Sequence, residues 1–233
     1  MNVNAKDLSS LSASGLSGHR LINAKLPPIA LFNDVADQDE FEALYAIQAL
    51  TNPRILNEVG NLRLVPLDEI PFGIRGCHYA AASFTHVNPN GSRFSDGSFG
   101  LMYIADTIET AIAEVYHHQT IYWANIPGLH YDRFVFKELI CRFDIAKGLD
   151  ATHMDLSEPM YASNDYTAAR VLGMEIKLSR RHSTLKYHSV RKPGSICYAL
   201  FTPMGITDII QAKHYEMIWT DAHIQSVSIV AQT

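Results

Sequence analysis

The sequence predicts an α/β fold of mixed (α+β) type in one domain, a β-sheet core flanked by helices. Three observations lead there. Apolar runs of strand length, such as Phe99 to Ala105 and Ile196 to Phe201, alternate with segments whose apolar residues recur at helical spacing. Turn-forming groups, Asn88-Pro89-Asn90-Gly91 and Pro193-Gly194, punctuate them. A chain of 233 residues that is 47% hydrophobic, with no internal repeat, carries enough apolar material for one large core.

Taken in order, Asp7 to Gly18 is dominated by Ser, Leu and Gly, a composition that buries little, so residues 1–30 are expected to form a mobile tail. Gln38 to Leu50 sets Phe41, Leu44, Tyr45 and Ile47 near helical spacing, and Pro53 is suited to open a second short helix. Residues 31–75 are therefore expected to be a helical extension packed on a core domain of residues 76–233. Cys77 to Thr85, rich in aromatic and small residues, suits a strand. Phe99 to Ala105 reads as a buried strand ended by Asp106, which has capping-box spacing to Glu109 and so predicts a helix to about His118. Phe134 to Ile145 has strand character, Asp165 to Ser179 helical spacing, and Thr184 to Val190 alternation. The strand Ile196 to Phe201, a helix around Ile209 to Trp219 and the alternating segment His223 to Val230 complete the chain.

Several function classes are disfavoured. A formal charge of -5 and a pI near 6.1 leave no basic excess for phosphate backbones, so no direct nucleic-acid partner is expected. No apolar run approaches the length of a membrane span, and the N-terminus lacks the basic and apolar regions of a secretory signal, so the expected location is the cytoplasm without membrane attachment. Cys77, Cys141 and Cys197 stand far apart without a CxxC pair, which opposes a disulfide framework or a zinc site. His117 and His118 are neighbours that do not share a helix face, so no metal is expected there. Nothing in the sequence opposes a homo-oligomer.

Chemistry concentrates in the centre. Gly91-Ser92-Arg93-Phe94-Ser95-Asp96-Gly97 sets an arginine in a turn-rich stretch ahead of the apolar strand that holds Tyr103. On the following helix Glu114 lies among Ala111, Ile112, Ala113 and Val115, where a carboxylate is costly to bury without a partner. Taken singly, each has a plainer reading: Arg93 as a surface residue, Tyr103 as core filler, Glu114 as a solvated helix position. His78, His86 and His188 flank this region in sequence and have the acid-base range of imidazole, His86 being the one singled out. Arg191-Lys192 is a small basic pair of which Arg191 is the better placed to meet a phosphate.

The ordered set resembles the RES family, whose pattern runs roughly GxRF, strand, tyrosine, short turn, and a helix with ETAxxE. Arg93, Tyr103 and Glu114 match in order and spacing, and the family's serine fits Ser189 in Tyr187-His188-Ser189-Val190-Arg191-Lys192-Pro193-Gly194, with Ser195 as the alternative. The resemblance spans about Phe84 to Pro203 and includes Asp165-Tyr166-Thr167-Ala168-Ala169.

It implies an ADP-ribosyltransferase-like fold with a central mixed sheet, NAD+ as substrate with no metal, and a toxin paired with an Xre-type helix-turn-helix antitoxin. On that footing the catalytic set is Glu114, Arg93, Tyr103 and Ser189, and the NAD+-binding set is Arg93, Tyr103, Ser189, Arg191 and His86. The residue types suit the chemistry: an arginine fork grips phosphates, and a carboxylate stabilises the positive ribose that forms when the nicotinamide bond breaks. Water, phosphate or a protein side chain could capture that ribose. The expected activity is NAD+ glycohydrolase or phosphorylase, the alternatives being a protein mono-ADP-ribosyltransferase and a silent NAD- or partner-binding module.

Overall fold

The computed structural model describes residues 3–26, 30–32, 35–51 and 59–231. Seven strands form one mixed sheet in the order β1-β2-β5-β4-β3-β6-β7, and four α-helices lie among the described residues. The strands are β1 (Ser9–Asn23), β2 (Met102–Ala105), β3 (Tyr131–Asp150), β4 (Thr184–His188), β5 (Ile196–Leu200), β6 (Ile206–Thr220) and β7 (His223–Ala231). The helices are α1 (Gln38–Thr51), α2 (Cys77–Thr85), α3 (Ile108–Ala124) and α4 (Thr167–Ser179). All neighbours run antiparallel except β3 and β4.

The central strands separate two hydrophobic clusters because alternate side chains point to opposite faces. Tyr103 and Ala105 of β2, Leu185 and Tyr187 of β4, and Cys197 and Ala199 of β5 face one cluster, covered by Ala111 and Trp123 of α3 and by Ala169, Leu172 and Ile176 of α4. Met102, Ile104, Tyr198 and Leu200 face the other, covered by Phe41 of α1 and by Cys77, Ala80, Ala81 and Phe84 of α2. The sheet also closes on itself. β1 pairs with β3 from Ser9↔Asp150 to Asn23↔Phe136 and meets β2 at His19↔Ala105, so β1, β2, β5, β4 and β3 form a continuous circuit. Gly18 permits the closure, since a Cβ there would lie 2.5 Å from Ile104 Cγ2 and 2.6 Å from the Ala105 carbonyl oxygen.

Three segments differ from the sequence expectation. Ser9–Asn23, inside the expected mobile tail, is a strand between two partners, because the β3 backbone ladder stabilises it despite its small side chains. Cys77–Thr85 is a helix, not a strand: its buried Cys77, Ala80, Ala81 and Phe84 follow i, i+3, i+4, i+7 spacing, and its alanines favour the helix. Ile209 to Trp219 is strand β6, in which Tyr215, Met217 and Trp219 alternate into one cluster while pairing with β3. The expected helix from Pro53 falls outside the described residues. None of the described helices is long and apolar enough to cross a membrane.

Candidate active site

Glu114 is placed by a helix whose start is tied to the sheet. Thr107 caps α3, its Oγ1 accepting from the Thr110 N–H at 3.2 Å. Asp106 takes the Thr110 hydroxyl at 2.7 Å on one carboxylate oxygen and the Ile196 N–H of β5 at 2.8 Å on the other. The cap is thus Thr107, one residue beyond the expected Asp106. Two turns on, Glu114 projects toward the β4–β5 turn, where the Ser189 hydroxyl donates to its Oε1 at 2.6 Å. Ser189 Oγ in turn accepts from the Arg191 and Lys192 N–H groups at 3.2 and 3.1 Å. With those two bonds the serine proton is directed at the carboxylate. The Cys197 thiol lies 4.0 Å from the same Oε1, and among the described residues Oε2 has no hydrogen-bond partner.

Of the two serines, Ser189 carries the contact. Ser195 braces the turn through its backbone, accepting from the Ser189 N–H at 2.9 Å and donating to the Lys192 carbonyl at 3.2 Å.

Arg93 is buried and held on three sides. Its Nη1 donates to the Met160 and Ala162 carbonyls at 3.1 and 3.0 Å, and its guanidinium lies 4.6 Å from the Tyr166 ring centroid. Arg170 of α4 clamps the loop by donating to the Ser92 carbonyl at 3.0 Å and the Asn90 carbonyl at 2.9 Å. Gly173 brings α4 directly onto that loop, for a Cβ there would sit 1.9 Å from the Phe94 carbonyl oxygen. Phe94, fully buried, packs edge-on against Tyr187 with centroids 4.9 Å apart.

Tyr103 holds the same loop. Its hydroxyl is 2.8 Å from Ser92 Oγ and accepts from the Phe94 N–H at 3.1 Å, on either side of Arg93. Burial pushes its pKa up to about 12, so it stays a neutral phenol. The hydroxyl is therefore committed to positioning Arg93. Tyr103→Phe is expected to leave the Phe94 N–H without its acceptor and to cost about 1–3 kcal/mol of stability, read as a shift of the urea unfolding midpoint.

Tyr187 links the set. Burial raises its pKa well above the usual value, the nearby Cys197, Tyr103 and Glu114 push the same way, and Arg93 opposes them. Arg93 and Glu114 thus both act on one buried hydroxyl, and both act on His117 of α3 as well. Next to this group, Arg191, His117, Glu109, Ile112, Tyr116 and Thr120 line an open cleft of about 460 Å³. Arg191 reaches across to the Ser163 carbonyl and to the Tyr166 hydroxyl, the latter at 3.2 Å.

The structure does not bring His86 to this group. It follows α2, which packs on the other cluster, and its Nδ1 lies 3.2 Å from Thr85 Oγ1. His188 is turned to the Thr152 carbonyl at 2.9 Å, and His78 is buried beside Lys137 and Tyr79. Sequence reasoning passed over Tyr166, Tyr187 and His117 as site residues. The first two stand in segments already marked by the resemblance; His117 was weighed only as a metal ligand. No group of three His, Cys, Asp or Glu side chains among the described residues could hold a metal ion.

Comparison with known proteins gives three likenesses. The chain is 26% identical over 216 residues to protein y4oC of Sinorhizobium fredii (strain NBRC 101917 / NGR234), covering 88% of this chain and 84% of that one. Among solved structures, a chain of the M. tuberculosis MbcT-MbcA toxin-antitoxin complex aligns over 86% of each chain with a TM-score of 0.43 and 11% identity. The RES domain model matches residues 70–220, a span that contains Arg93, Tyr103, Glu114 and Ser189 together. The chain belongs to the RES family.

Proposed function

We propose that this chain is the toxin of a toxin-antitoxin pair and cleaves NAD+ at the nicotinamide-ribose bond. The observation that carries the reading is the Ser189 to Glu114 hydrogen bond of 2.6 Å, which fixes a carboxylate and leaves its second oxygen without a hydrogen-bond partner among the described residues. Loss of nicotinamide leaves positive charge on the ribose ring, and a preorganised carboxylate stabilises that charge as it develops. Arg93, stacked on Tyr166 and gripped through Nη1 alone among the described residues, keeps donors for the diphosphate. Arg191 lines the cleft and brings a guanidinium to it. Ser189 acts by orienting Glu114 and Tyr103 by orienting the Arg93 loop.

Family membership supports the toxin assignment and a partner: an Xre-type helix-turn-helix antitoxin that silences the chain by covering this cleft. Co-expression with such a protein should yield a complex lacking activity.

The direct test incubates the purified chain with NAD+ and follows free nicotinamide by chromatography, with and without phosphate and with cell extract. Nicotinamide release is expected, and Arg93→Ala should lower kcat/KM by at least about 100-fold, roughly the loss of a charge-assisted bidentate contact of 3 kcal/mol. NAD+ left intact in every condition would overturn the reading. A band labelled from NAD+ in the extract, without free ADP-ribose, would replace it with transfer to a protein.

A further inference from the structure

We propose that Tyr166 is a positioning residue that ties Arg93 and Arg191 into one seat for the two phosphates of NAD+ and thereby sets a preference for the dinucleotide over a mononucleotide. The inference rests on the NAD+-cleaving reading above and deepens it.

Both guanidiniums touch the same side chain. Arg93 lies over the Tyr166 ring, 4.6 Å from its centroid, and Arg191 Nη2 donates to the Tyr166 hydroxyl at 3.2 Å. The backbone just ahead of the tyrosine repeats the pattern: the Met160 and Ala162 carbonyls take Arg93 Nη1, and the Ser163 carbonyl takes Arg191 Nη2. The two arginines come from separate loops, one before β2 and the other between β4 and β5, and residues 160–166 are what they share. That segment is itself anchored, since Tyr166 stands at the N-cap of α4 and its carbonyl accepts the Arg170 N–H at 2.8 Å. A further sign of convergence is His118 of α3: burial, then Arg191 and Arg93, holds its pKa down to about 4.

Neither Arg93 nor Arg191 forms an ion pair with a carboxylate among the described residues. Like charges gathered without a counter-ion repel each other, and an anion spanning them relieves the repulsion. Donors remain open for it. Arg93 Nε and Nη2 and Arg191 Nη1 have no hydrogen-bond partner among the described residues, yet none of them is sealed from solvent as Arg191 Nε is. Open donors on two guanidiniums suit a ligand with two linked phosphates. A single phosphate engages one guanidinium and leaves the other unused. Tyrosine serves both contacts because its ring face and its hydroxyl are separate handles. Phenylalanine would keep the first and lose the second.

The test uses the full chain, with NAD+ as substrate and nicotinamide mononucleotide, which has one phosphate, as competitor. Tyr166→Phe should raise KM for NAD+ by about tenfold, the scale of one hydrogen bond to a charged group, while kcat stays within about threefold. The inhibition constant of the mononucleotide should move by less than about threefold, a split that a merely structural role, acting on both ligands alike, would not produce. In an Arg191→Ala chain the same tyrosine substitution should have no further effect on KM for NAD+, because the contact it removes is already gone. An unchanged KM for NAD+, equal weakening of both ligands, or full additivity of Tyr166→Phe with Arg191→Ala overturns the inference while the NAD+-cleaving reading stands. NAD+ left intact by the unaltered chain overturns both.

Discussion

Glu114→Gln is expected to lower nicotinamide release by about 10²–10³-fold while leaving NAD+ affinity and the melting temperature close to those of the unaltered chain. The substitution is nearly isosteric. A glutamine oxygen can still accept the Ser189 hydroxyl, so the contact that fixes the side chain persists and the charge alone is removed. A carboxylate facing an oxocarbenium-like state acts only as charge builds, so kcat falls more than KM rises. Single-turnover nicotinamide release together with calorimetric NAD+ binding reads both quantities. Retention of full turnover would remove Glu114 from the chemistry, and loss of binding in proportion to rate would make it a ground-state ligand.

Gly173→Ala should produce the largest structural effect. Two terms compete. Alanine in a helix gains about 1 kcal/mol over glycine, which alone would raise stability. Against it, the new Cβ would stand 1.9 Å from the Phe94 carbonyl oxygen, far inside van der Waals contact and against backbone that cannot rotate away. Overpacking of that kind costs about 1–3 kcal/mol and sometimes more, so the net change is a loss. For a chain of this size each kcal/mol lowers the melting temperature by roughly 2–4 °C, measurable by calorimetry. The strain falls on the loop that carries Arg93, so NAD+ turnover should drop in the same variant at temperatures where it remains folded. A melting temperature equal to or above that of the unaltered chain would show that α4 and the loop separate freely.

The sequence made the middle of the molecule legible and its ends obscure. β2 and α3 could be read because their signals are local: an apolar run stops at Asp106, and Thr107 begins the helix. The capping-box spacing of Asp106 to Glu109 points one residue early, since the side chain that takes the Thr110 N–H is that of Thr107. β1 could not be read because nothing in its serines and glycines announces a strand; its stability comes from β3, more than a hundred residues away. α2 was legible in principle, its buried positions having strict helical spacing, but its aromatic and small residues favoured the strand reading.

The candidate site followed the same rule. The resemblance points to Arg93, Tyr103, Glu114 and Ser189, and the structure joins Ser189 to Glu114 and Tyr103 to the Arg93 loop. That Tyr166 would stack beneath Arg93, or that His86 would lie across the sheet, depends on packing between distant segments. No local pattern encodes either.

The strand circuit also orders events at the ribosome. β1 precedes both of its partners, the short one ending at Ala105 and the long one running from Phe136 to Asp150 along the ladder, so it waits unpaired until those segments are translated. Pairings so remote in sequence form slowly and leave hydrogen-bonding edges exposed in the interim. The Ser- and Gly-rich makeup of β1 suits that wait, because a nascent segment with few large apolar side chains has little to aggregate with before its seat in the sheet exists.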